Sequence, residues 1–176
     1  DGTVIASLAA GVATDGLGNP NAASTSTDNI VTRDTAGPPV TINQAGGQAD
    51  PTNGSPINFT VVFSESVANF ATGDVTLGGT AGATTQVVTG AGTTYNVAVS
   101  GMTGDGTVIA SLAAAVATDA AGNPNAASTS TDNTVTRDAT GPTVTINQAG
   151  GQPDPTNASP INFTVVFSES VANFAT

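Results

Sequence analysis

The chain has 176 residues, 13 acidic and 2 basic, for a formal net charge of −11, with no Cys, His or Trp. Both basic residues are arginines, Arg33 and Arg137, so lysine is absent too. These absences exclude Ser-His-Asp triads, thiol nucleophiles, Schiff-base lysines and Ser-Lys dyads, Cys/His zinc sites and disulfides, and lysine–asparagine isopeptide staples. Two arginines 104 positions apart form no cationic patch for nucleic acid. What remains is a structural or binding protein, with hard-metal sites built from carboxylates as its accessible chemistry.

Hydrophobic residues make up 38% of the chain against 9% charged, so there is apolar surface to bury and no compositional case for disorder. Abundant Thr and Val favour pleated strands, while 21 Gly and 10 Pro punctuate turns. In chain order, the period-2 pattern and its turn signals predict strands at Val40–Asn43, Pro56–Ser64, Asp74–Leu77, Thr85–Thr89, Tyr95–Val99, Thr107–Leu112 and Thr129–Arg137. The clearest is Pro56–Ser64, where Ile57, Phe59, Val61 and Phe63 share one face and Asn58 and Thr60 the other. The alanine-rich run Ser111–Ala117 admits a helical reading, which its flanking Thr and Gly weaken. The longest apolar run, Thr107 to Thr118, has 12 residues, short of the ~18 needed to span a membrane. With no initiating Met and no signal-peptide pattern, the chain reads as an internal stretch of a longer polypeptide.

Self-similarity sets the organisation. At an offset of 104, residues 1–72 align without a gap on 105–176, and only positions 11, 16, 17, 30, 35, 36, 39, 49 and 54 differ, leaving 63 of 72 identical. A period near 100 is the size of one small β-sandwich. Seven short strands per period predict an all-β chain of immunoglobulin-like sandwiches repeated in tandem every 104 residues or so. Turn chemistry places the boundaries. Residues 1–37 supply the last two strands of a preceding repeat, 38–141 form a complete repeat, and 142–176 supply the first two strands of a following one. The linkers Asp34-Thr-Ala-Gly-Pro38 and Asp138-Ala-Thr-Gly-Pro142 are short, with proline fixing the start of the next first strand.

The runs FTVVFSESVANF, GTTYNVAVSGMTGDGTVIA and ATDAAGNPNAASTSTDNTVTRDATGPTVTI resemble the tandem immunoglobulin-like repeats of giant bacterial surface adhesins, including calcium-dependent extender arrays. The most telling feature is an Asp-x-x-Gly-Asn loop paired with an Asp-x-x-x-Pro linker. The resemblance covers the whole chain. It implies a non-enzymatic, extracellular spacer at the bacterial surface, whose partners are neighbouring repeats of the same chain, with Ca²⁺ at domain junctions.

The placement of acids can be set against calcium's need for six to eight oxygens. In an immunoglobulin-like sandwich the second-to-third and sixth-to-seventh loops lie at the end where the chain arrives. Glu65 sits in the first of these loops, Asp119 and Asn123 in the second, and Asp34 in the arriving linker. Asp1 is expected to hang from the preceding repeat toward the same place. Carboxylates gathered so closely repel one another unless a cation intervenes. The next junction repeats the pattern with Asp138, Glu169 and Asp105, while Asp15 and Asn19 are the counterparts of Asp119 and Asn123 in the preceding repeat. Asp50 and Asp154 are weaker candidates, and Asp28, Asp74 and Asp132 read as solvent-facing. The alternative stays open that Asp-Ala-Ala-Gly-Asn is simply a tight turn, with Arg33 and Arg137 as salt-bridge partners of the linker acids.

Rival functions have thinner support. Self-assembly into a filament by strand complementation between identical chains is the main alternative, since partial repeats at both ends leave strand edges unpaired. A carbohydrate-binding module would need exposed aromatics, and the six Phe and one Tyr fall mostly at inward strand positions. Thr-x-Thr runs read as threonine-rich edge strands rather than ice contacts. A glycosidase carboxylate pair would place one active site at every junction of a repeat array.

Overall fold

In the computed structural model, which describes residues 1–175, eleven strands form and no helix does among those residues. The central seven are β3 (Val40–Gln44), β4 (Ile57–Phe63), β5 (Val75–Gly78), β6 (Thr85–Ala91), β7 (Thr94–Ser100), β8 (Gly106–Leu112) and β9 (Thr134–Arg137). They are preceded by β1 (Gly2–Ile5) and β2 (Ile30–Arg33), and followed by β10 (Val144–Gln148) and β11 (Phe163–Phe167).

Alternation decides which face of each strand turns inward. Along β4, Ile57, Phe59, Val61 and Phe63 are buried, while Asn58 and Thr60 are half-buried and Val62 exposed. Tyr95, Val97 and Val99 of β7 and Val108, Ala110 and Leu112 of β8 follow the same rule. One antiparallel sheet runs β3-β4-β7-β6 and the other β5-β8-β9. Taking β3 to β9 as first to seventh, the first, second, fifth and fourth strands face the third, sixth and seventh. That is the arrangement of a seven-stranded constant-type immunoglobulin sandwich. The inward files meet in one core that also takes in Val40, Ile42, Phe70, Val75, Ala81, Ala117 and Val135.

One local expectation is corrected, and the alternative helical reading falls. Of Thr129–Arg137, only Thr134–Arg137 is a strand. Thr129 makes an isolated parallel bridge to Thr41, and the Asn43 side-chain oxygen accepts from the Thr131 and Asp132 N–H groups, each at 3.0 Å. With those donors satisfied by a side chain, that stretch need not join a ladder. Nor does Ser111–Ala117 form a helix: Ser111 and Leu112 complete β8 and the chain then turns around Asn125. This buried side chain accepts from Val116 N (2.9 Å) and Ala117 N (2.8 Å) and donates to the Ala113 and Ala126 carbonyls. Three backbone groups of that run, together with the Ala126 carbonyl, are met by one amide.

The flanking hairpins copy the central registers. β1 pairs with β2 from Gly2↔Arg33 as β8 pairs with β9 from Gly106↔Arg137. β10 pairs with β11 from Val144↔Phe167 as β3 pairs with β4 from Val40↔Phe63. Burial does not follow: Val4 and Phe163 are each 62% exposed, whereas their counterparts Val108 and Phe59 are at 0%.

The turn after β8 offers a test, because Ala115 sits at φ 63° where the preceding copy has Gly11 at φ 76°. A Cβ in the left-handed region costs roughly 1 kcal/mol, more than the chain entropy that Gly adds to the unfolded state. Ala115→Gly is expected to stabilise the central repeat by about 0.5–1 kcal/mol, seen as a higher urea midpoint at unchanged m-value. A lower midpoint would contradict the strain reading.

Candidate metal centre

Three segments converge at the end of the sandwich where the linker arrives, and each is fixed by its own sequence. The loop after β4 is anchored by an aromatic trio. Phe63, Phe70 and Tyr95 pack edge-to-face with centroids 5.4, 6.0 and 5.0 Å apart, and the Tyr95 hydroxyl donates to the Val67 carbonyl at 3.4 Å. Such pairs add about 0.5–1.5 kcal/mol each beyond area burial. Glu65 lies in the chain between Phe63 and Phe70, in the loop these rings anchor.

The loop after β8 is tied to this one by Ala68 N donating to Thr118 O at 2.8 Å, with the return bond at 3.3 Å. The next residue, Asp119, is 4% exposed. Its Oδ1 accepts from Ala121 N and Asn123 N, each at 2.8 Å, and its Oδ2 from Asn123 Nδ2 at 2.9 Å. The tight-turn reading of Asp-Ala-Ala-Gly-Asn therefore describes the backbone, and the carboxylate faces the junction as well. Foremost through the Asn123 side-chain amide, and against the opposing effect of burial, Asp119 is held below its ordinary value of 3.8.

The linker completes the arrangement. Gly37 passes so close to the following loop that a Cβ there would lie 1.9 Å from the Pro124 carbonyl oxygen, so only glycine fits, and Pro38 beyond it is buried. Asp34 is thereby brought to Glu65 and Asp119, with one carboxylate oxygen from each residue within 4.8 Å of the others. Three of the four carboxylates expected at this junction thus lie together. Their all-oxygen, triply anionic donor set fits a hard divalent cation of the Ca²⁺ type. Asp34, Glu65 and Asp119 would hold the ion, and the Asn123 amide would orient Asp119 from behind.

The other anticipated residues fall elsewhere. Asp1 stands outside the trio: it accepts from Thr35 N at 2.8 Å and Thr35 Oγ1 at 3.0 Å, which fastens the linker to the preceding hairpin. Asp105 does the same at the next linker, accepting from Ala139 N at 2.7 Å and from the Thr140 hydroxyl. The Thr140 hydroxyl is the main cause holding Asp105 below its ordinary value. The Arg137 Nη1 lies 3.7 Å from Asp105, not at the linker acid Asp138 that the alternative reading offered it, and donates to Gly104 O at 2.8 Å. Asp138 and Glu169 line one cleft at the second junction together with Asn53. Asp15 and Asn19 reproduce the Asp119–Asn123 turn, with Asn19 Nδ2 donating at 2.9 Å, but on an exposed hairpin. That amide is also the main reason Asp15 is held low. Asp50 accepts from Thr136 N at 2.9 Å on β9, and Asp154 is exposed. Asp28 and Asp132 are exposed as expected, whereas Asp74 is half-buried and accepts from Ala71 N at 2.7 Å.

Asn125, Gly37 and Tyr95 position the centre without having been singled out beforehand. Asn125 had a signal, since Gly-Asn-Pro-Asn recurs at Gly18–Asn21 and Asn21 repeats its bond to Ala13 N.

Because the folded-state value of Asp119 is depressed, its contribution to stability is full above 3.8 and is lost as pH falls through the lower folded value. In metal-free buffer, wild type should melt above Asp119→Asn at neutral pH, with the gap closing below pH 3.8. A gap independent of pH would count against the hydrogen-bonded carboxylate.

Residues 34–136 match the bacterial Ig-like domain family. No curated protein and no solved structure matches the chain. The match covers more than half of the chain, from the linker before β3 to within one residue of the end of β9, and on that basis the chain belongs to the bacterial Ig-like domain family.

Proposed function

We propose that the chain is part of an extracellular spacer array in which Ig-like repeats follow one another through short linkers, each junction braced by Ca²⁺. Domains of this family are commonly found in extracellular or surface proteins and are typically non-enzymatic. The observation that carries the reading is the meeting of Asp34, Glu65 and Asp119, because these residues come from a linker and two loops rather than from one turn. Three anions held there by aromatic packing and a close glycine contact repel each other, and a cation would turn that repulsion into a tie between linker and domain.

The inner faces of the flanking hairpins are exposed. Fully burying a Val, Ile or Phe side chain stabilises by about 1.5–3 kcal/mol, and Val4, Val31, Ile146 and Phe163 lack that cover while their central counterparts have it. No helix among the described residues is long and apolar enough to cross a membrane.

The reading is tested by calcium titration of the chain and of an Asp34→Asn/Glu65→Gln variant. Wild type should bind with a Kd of about 10⁻⁴–10⁻³ M, the range of extracellular Ca²⁺ modules. Saturation at about 100 Kd should raise stability by roughly 2.7 kcal/mol, and the variant should lose both effects. In X-ray scattering from several complete repeats, chelation should shorten the maximum dimension before it melts any sandwich, since neighbouring repeats couple only at their junctions. Unchanged dimensions and melting temperature on chelation would remove calcium from the proposal.

A further inference from the structure

We propose that Asn53–Gly54 is a deamidation site that adds a carboxylate to the junction cleft. It is the chain's single Asn-Gly pair, in the loop between β3 and β4, and both residues are exposed. The loop is pinned beside β9 and the linker: Thr52 N donates to Thr136 O at 2.9 Å and Asp138 N to Thr52 O at 2.9 Å. Asn53 consequently lines the same cleft as Asp138 and Glu169.

The chemistry needs only water. The Gly54 backbone nitrogen attacks the Asn53 side-chain carbonyl carbon, the bond to the amide nitrogen breaks, and ammonia departs with the Gly54 N–H proton. Water then opens the resulting succinimide at either carbonyl, leaving an aspartate or an isoaspartate. No electrons are gained or lost, and one negative charge is added. The limiting requirement is close approach of that nitrogen to the side chain, which a Cβ on the following residue hinders.

The following repeat is the built-in comparison. There the pair is Asn157–Ala158, in the same turn: Ala158 N donates to Thr156 Oγ1 at 3.0 Å as Gly54 N donates to Thr52 Oγ1 at 3.0 Å. A Cβ on Gly54 would lie 3.2 Å from that hydroxyl. The two sites thus differ by one methyl group at the attacking residue and by the bonds that tie Thr52 to Thr136 and Asp138. The modification stands independently of calcium, whereas its consequence, a further anionic ligand opposite Asp138 and Glu169, rests on the junction reading above.

The whole chain, aged in warm, mildly alkaline buffer, is cut by trypsin at Arg33 and Arg137, which separates Asn53 from Asn157. Mass spectrometric fragmentation then follows conversion at each. Asn53 is expected to convert at least about fivefold faster than Asn157, the equivalent of roughly 1 kcal/mol of conformational freedom between Gly and Ala. Gly54→Ala should slow Asn53 and Ala158→Gly should speed Asn157, each by about fivefold. Equal rates in the wild type, or rates indifferent to both substitutions, would overturn the site. Calcium titration of fresh and aged chain tests the consequence separately: tighter binding after ageing supports it, and identical binding overturns it without touching the modification.

Discussion

Burial of one alternating file of apolar side chains per strand against the opposite sheet is the interaction on which the rest depends, and the chain carries its own control for it. Ile42 and Phe59 are fully buried in the central repeat, while Ile146 and Phe163, with the same neighbours in sequence, are more than half exposed in the following hairpin. Register survives in that hairpin, since Ile146 still faces Val165 as Ile42 faces Val61. Pairing of adjacent strands is therefore a local property of the sequence, and burial is a property of the complete sandwich. The apolar gain at the core end reaches the junction through Phe63, which belongs both to β4 and to the aromatic trio that holds the Glu65 loop.

At the junction, packing and charge oppose each other. Gly37 against Pro124 and the Ala68–Thr118 backbone pair leave the three loops little room to separate. Asp34, Glu65 and Asp119 would separate if electrostatics alone decided. The Asn123 amide relieves part of this on Asp119 by favouring its ionised form, which also keeps that carboxylate a competent oxygen donor. A device that lowers the cost of charge on a buried carboxylate, rather than neutralising it, suits a cation site better than it suits a plain turn.

The sequence carried the sandwich almost completely, because period-2 alternation and a 104-residue repeat are both local, countable signals. Strand order in this fold says which loops share an end, and three of the four carboxylates expected at the first junction do lie together. Asp1 was misplaced, and the partner of Arg137 left open, for a common reason: their partners are backbone and hydroxyl groups whose direction depends on how the linker bends. Thr35 N and Thr35 Oγ1 draw Asp1, and Gly104 O draws Arg137. Gly37 could not be picked out among 21 glycines, because its role is set by a contact 87 positions away.

The two linkers separate what the joint requires from what it merely contains. The first reads Thr35-Ala36 and the second Ala139-Thr140, so threonine has exchanged places with alanine. In the first, the Asp1 carboxylate receives both the N–H and the hydroxyl of Thr35. In the second, Asp105 receives the N–H of Ala139 and the hydroxyl of Thr140, one residue further on. A hydroxyl on the carboxylate is kept while its position along the chain is not. That is the behaviour of an electrostatic clamp, which needs a donor within reach, rather than of a packed contact, which would fix the side chain's place. The linker is accordingly fastened to the domain behind it by hydrogen bonds to one carboxylate. It reaches the domain ahead through a glycine contact and an aspartate set beside two more acids. The forward attachment gathers three carboxylates within 4.8 Å of one another, so a cation there would act on the linker's hold on the domain it leads into.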